Sequence, residues 1–139
     1  MDDIKNLLME MCKDIMDDMA GDPGNSILGT PPRVFYLDFS YGEGEPGGDP
    51  QETYRYENGS LEKVKPGAGR KSDSEVEMVM ESHQSYYSEG NFSIGIDKKN
   101  KYAYMSFQVG PLFGRGYRYK IVTGENGNTL GEEEELWIS

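Results

Sequence analysis

Between Asp2 and Ala20 the apolar residues fall three and four apart, and no other feature limits what this chain can fold into so strongly. Ile4, Leu7, Leu8, Met11, Ile15 and Met19 share one stripe of a helix, while Asp3, Lys5, Asn6, Glu10, Asp14 and Asp17 turn to water. Cys12 and Met16 widen the stripe, so the helix is expected to lie broadly on a sheet. Asp2 or Asp3 suits its start, where a carboxylate meets the positive end of the helix dipole. Gly21 and the Asp22-Pro23-Gly24 run stop it.

The rest of the chain supplies strands for that stripe to cover. From Arg33 to Tyr41 the sequence alternates, with Phe35, Leu37, Phe39 and Tyr41 on one face and Val34, Tyr36, Asp38 and Ser40 on the other. Glycines, prolines and carboxylates over 42–50 break the strand and predict an acidic loop. Tyr54 and Tyr56 then lead into Asn58-Gly59, followed by Leu61 and Val64, the pattern of a hairpin with a type I′ turn. Phe92, Ile94 and Ile96 alternate before a polar turn at Asp97 to Lys101, and Ala103, Met105, Phe107 and Val109 alternate after it. A loop is expected over 110–116. Tyr117, Tyr119 and Ile121 follow, then a turn at Glu125 to Asn128 and a short last strand around Leu136 to Ile138.

Two connections read differently. Residues 66–73, rich in Gly, Lys and Ser, predict a flexible link. Residues 74–88 fit a helix, with a Ser74/Glu77 capping box, Val76, Val79, Met80, His83 and Tyr87 on one face and Gly90 at the end. They also alternate as a strand would. The helix is favoured because Glu and Met are good helix formers and the segment is long for a strand. The expected fold is therefore α+β: one domain over 1–139, its N-terminal helix packed on an antiparallel sheet of about five to seven strands, with a second helix near 74–88.

Charge narrows the functional classes. The net charge of −11 opposes binding to nucleic acid or to an anionic membrane. No apolar run approaches the length of a membrane span, and the chain opens on Met1-Asp2-Asp3 where a secretory signal would be basic. With Cys12 as the only cysteine no internal disulfide forms, and a reducing, cytoplasmic setting is expected.

No motif for catalysis, a cofactor or a metal stands out. His83 is the only histidine, so a two-histidine metal site is impossible; it reads as a structural or solvated residue. Cys12, at the margin of the helical stripe, reads as a packed and inert thiol. Asp38 lies mid-strand between aromatics and must be solvated or specifically paired; its alternation puts it with Ser40 on the polar face, which favours the solvated reading. The Gly110-Pro-Leu-Phe-Gly114-Arg-Gly116 run lacks the Lys-Ser/Thr ending of a phosphate loop. The acidic stretch from Glu125 to Glu135 lacks the ligand spacing of a calcium loop.

What remains is the distribution of charge. Acids gather in 1–22, in 38–52 and at Glu132 to Glu135, and bases gather in 63–71, 98–101 and 115–120. Clustered acid with interspersed tyrosines either only keeps a small protein soluble, the favoured reading of the charge itself, or marks a non-enzymatic module that masks a basic site on a protein partner, in the manner of immunity and inhibitor proteins of like size, charge and layout. Asp14, Asp17, Asp18, Glu43, Glu45, Glu132, Glu133, Glu134 and Glu135 are the candidate contacts. Two other readings stand beside it. One is a small-ligand or enzymatic domain with an aromatic pocket formed by Tyr54, Tyr56, Tyr102, Tyr104, Tyr117 and Tyr119; the other is an assembly subunit that pairs through a sheet edge.

Overall fold

The computed structural model describes residues 2–22, 31–44, 46, 48–69, 86–110 and 113–138. Helix α1 (Asp2–Ala20) precedes seven strands: β1 (Val34–Gly42), β2 (Glu52–Glu57), β3 (Ser60–Val64), β4 (Glu89–Asp97), β5 (Tyr102–Gly110), β6 (Phe113–Gly124) and β7 (Gly127–Ile138). They make one sheet in the order β3-β2-β1-β4-β5-β6-β7. Among the described residues no helix is long and apolar enough to cross a membrane.

The amphipathic helix lies where its pattern requires, with one correction. Ile4, Leu8, Cys12 and Met16 are fully buried, whereas Leu7 is 39% exposed and Met11, Ile15 and Met19 are half-buried. Cys12 and Met16 thus sit at the centre of the stripe, not at its margin. Each step of four residues rotates the row by about 40°, so the buried row slants across the helix axis, as packing on a twisted sheet demands. Asp3 holds the start: its carboxylate accepts from the Ile4 amide at 2.9 Å and from the Asn128 amide of β7 at 2.7 Å. At the other end the Arg33 guanidinium donates to the carbonyls of Ala20 and Asp22.

Alternation in the strands separates two faces. Toward α1 point Phe35, Leu37, Phe39, Phe92, Ile94, Ile96, Ala103, Met105, Tyr119 and Ile121, which with the helix row form the core. Phe92 is its aromatic centre, stacked on Phe107 at 5.2 Å and edge-on to Phe35 at 5.6 Å. Asn58 (φ 53°) and Gly59 (φ 82°) make the tight β2–β3 turn that their sequence predicts.

Several expectations change. The sheet is not wholly antiparallel, because β1 and β4 pair in parallel from Val34↔Glu89 to Gly42↔Asp97. Parallel neighbours cannot be joined by a hairpin, and here the chain passes through β2 and β3 on the outer side of β1 before β4 begins on its other side. The second helix expected over 74–88 lies outside the described residues except at 86–88. Those three residues are not helical: the Tyr87 amide donates to the Val109 carbonyl at 2.8 Å, and the Tyr86 ring stacks on Phe113 at 4.8 Å. The loop expected over 110–116 gives way to strand from Phe113, and the short last strand becomes twelve residues that include all four glutamates.

Strand β7 ends the sheet, and Glu132 to Ile138 are exposed along it. Pairing with β6 carries the glutamates into the strand despite their weak β preference: Tyr119 donates to Glu133 at 2.8 Å, and Arg118 pairs with Glu134. Four like charges along an edge oppose pairing with a second copy of the same strand. Converting Glu132 and Glu134 to threonine and Glu133 and Glu135 to valine should therefore produce concentration-dependent association in sedimentation velocity. Equal sedimentation of variant and parent would show that the charges do not guard the edge.

Acid stability has a named contributor. Glu52 on β2 accepts from Lys5 of α1 and, at 2.9 Å, from Lys63 of β3; these two bonds, Lys5 first, hold its carboxyl down at about 2. A carboxyl held below its unfolded value adds stability above that value and surrenders it as pH falls. Glu52 thus supports the fold fully above 4.5 and loses its contribution between 4.5 and about 2. Glu52→Gln should flatten that part of the stability profile in denaturant titrations; an unaltered slope would assign the acid limb to other carboxyls.

Candidate binding groove on the open face of the sheet

The face turned away from α1 carries small and polar residues. In one register Thr53 of β2 lies beside Asp38 of β1, Asp38 beside Ser93 of β4, Ser93 beside Ser106 of β5, Ser106 beside Gly116 of β6, and Gly116 beside Trp137 of β7. The next row runs Ser40, Gly95, Tyr104, Arg118 and Glu134. Serines and glycines leave a trough where larger side chains would make a ridge. The trough is a groove of about 530 Å³, with Asp38 toward one side, Trp137 and Leu136 toward the other, and Pro46 and Pro50 on the wall formed by the β1–β2 loop.

Each wall has a physical cause. Glycine at 116 is required because a Cβ there would run into the Trp137 indole, so the ring lies flat over β6. Glycine at 95 plays the same part under Pro46, where a Cβ would come within 2.5 Å of the proline ring. The loop that carries Pro46 is tied down by Asp97, which accepts from the Gly44 amide at 2.9 Å, the Lys99 and Asn100 amides at 3.0 Å each and the Asn100 side chain at 2.8 Å. Burial works against ionisation of Asp97, yet these bonds outweigh it and hold the carboxyl below its ordinary value.

Asp38 is specifically paired rather than merely solvated. The Thr53 hydroxyl donates to it at 2.7 Å and accepts from the Gly67 amide at 2.9 Å, so the β3–β4 connection fixes the orientation of the carboxylate. Among the described residues that line the groove, Asp38 is the only charged one. Trp137, the single tryptophan of the chain, is 41% exposed, and Leu136 beside it is 43% exposed. A single negative charge, a row of hydroxyls and an open indole can receive a cation joined to an apolar group.

The residues singled out from sequence fall elsewhere. Asp14 and Asp18 are exposed on α1, while Asp17 accepts from Tyr56 at 2.5 Å and from Lys13 at 3.0 Å. Burial, and then the bond to Asp17, pushes the Tyr56 hydroxyl up to about 12. Glu43 is exposed at the end of β1, and Glu45 lies outside the described residues, as does His83. Glu133 and Glu135 share the helix side of β7, and Glu134 faces the groove side. The eight described acids therefore sit on α1, the β1–β2 loop and β7 instead of one element. Burial pushes the Cys12 thiol up to about 12, as suits a packed and unreactive cysteine.

The six tyrosines do not share a pocket. Tyr54, Tyr56, Tyr117 and Tyr119 pack against the core beneath α1, and Tyr102 and Tyr104 lie on the open face. Tyr104 and Tyr117 both line the groove, and with Asp38, Ser40 and Gly116 they are the lining residues to which the sequence drew attention. A wider hollow of about 770 Å³ opens near the start of α1, but the Lys5–Glu52 pair crosses it and Lys98 lies 4.2 Å over the Tyr41 ring. Among the described residues no three or more His, Cys, Asp or Glu are placed to hold a metal ion. No protein-family model, curated protein or solved structure matches the chain.

Proposed function

We propose that this chain is a non-enzymatic, acidic protein-binding module that masks a basic site on its partner by taking a lysine or arginine side chain into the groove. The observation that carries the reading is Asp38, the one carboxylate among the described residues of a trough that also offers an exposed indole. A buried cation requires a counter-charge, and exposed aromatic residues are frequent anchors of protein interfaces. The overall charge of −11 adds long-range attraction for a basic partner.

Trp137 makes the reading directly testable, because its emission reports occupancy of the groove. A blocked peptide bearing arginine and leucine should shift that emission, and the same peptide with citrulline for arginine should not. Asp38→Asn should weaken arginine-peptide binding about tenfold or more. Unchanged affinity in Asp38→Asn would count against the groove as the basic site. A second reading, a small organic cation in the same place, is favoured by the volume of about 530 Å³, which lies in the range of small-molecule sites. Benzamidine binding as tightly as the peptide would favour that reading.

A further inference from the structure

The groove crosses the strands rather than following them, and this sets a distance between its two recognition ends. Asp38, Ser93, Ser106 and Gly116 stand in one continuous register on β1, β4, β5 and β6, with Trp137 over Gly116. Neighbouring strands lie about 4.8 Å apart, so the steps from β1 to β6 span roughly 14 Å. An extended peptide advances about 3.4 Å per residue, and four of its residues cover the same span. Residues four apart in an extended chain also point to the same side.

We infer that the groove selects an extended segment with a basic residue followed, or preceded, at the fourth position by an apolar one. The inference rests on the binding reading above and names the partner's recognition element. The cation meets Asp38 and the apolar side chain lies against Trp137 and Leu136. The residue midway between them faces Ser93 and Ser106, where the floor suits a small polar side chain. Shorter spacing leaves one end empty, and longer spacing forces the chain to buckle. The opposite charge of the occupant follows from the groove itself, whose described lining contains Asp38 and no basic residue.

The experiment uses the full chain and blocked peptides of one length, each with one arginine and one leucine among serines, the leucine placed two, four or six positions away. Trp137 emission reads binding. The four-position peptide should bind about tenfold more tightly than the other two, since each of those forfeits one anchoring contact. Equal affinity for all three overturns the spacing inference while leaving the groove as a basic-residue site. Citrulline binding as well as arginine at every spacing overturns the binding reading itself. Tighter binding of a helical peptide with the two residues seven apart also overturns the extended occupant.

Discussion

Replacing Phe92 with alanine should remove about 3–5 kcal/mol of folding free energy, because its ring is fully buried between Phe35 and Phe107 at the centre of the sheet. Small domains hold only about 5–15 kcal/mol in all, so this one change should leave the chain near the edge of folding. The same substitution at Leu7, which is 39% exposed on α1, should cost about 1 kcal/mol or less. Urea titrations of the two variants decide between packing arrangements. Comparable losses at both positions would mean that the helix buries a different stripe from the one through Ile4, Leu8, Cys12 and Met16.

The second large effect is on binding. Gly116→Val places a branched side chain where the Trp137 indole lies, so the ring must leave the groove. Valine is a good strand residue and β6 is paired on both sides, which leaves the fold intact. Peptide affinity should fall by about 2 kcal/mol, roughly thirtyfold, as expected for loss of a central aromatic anchor. Emission of Trp137 should shift to the red in the unliganded variant as the ring enters water. Retained affinity together with a shifted spectrum would mean that the indole reports on the groove without contributing to it.

The sequence shows the helix and most strands plainly, and the reason is local. Ile4 and Leu8 repeat at helical spacing, and Phe92, Ile94 and Ile96 alternate as a half-buried strand must. Strand β7 is harder to see because Glu132 to Glu135 carry no alternation of their own. Their place in the sheet comes from Arg118 and Tyr119 on β6. The parallel pairing of β1 with β4 has no local signature at all, since it depends on how the chain returns from β3.

The groove was less legible for the same reason. Asp38, Ser93, Ser106, Gly116 and Trp137 come from five different strands, and only the register of the sheet brings them into line. One signal was present in the sequence. Ser40, Ser93, Gly95, Ser106 and Gly116 take small residues at outward positions where strands usually carry bulkier ones, which is the pattern expected when something approaches the backbone closely. The acidic candidates drew attention by number, whereas Asp38 acts through position.

Amide chemical-shift mapping of the intact chain, titrated with the peptide that carries arginine and leucine four positions apart, tests the central claim most directly. The groove predicts that the largest shifts fall on Asp38, Ser93, Ser106, Gly116 and the Trp137 indole, and that helix α1 stays unmoved. Shifts centred instead on Asp14, Asp17 and Asp18, or spread evenly over acidic residues of α1 and β7, would show attraction to general negative charge and contradict a built site on the open face.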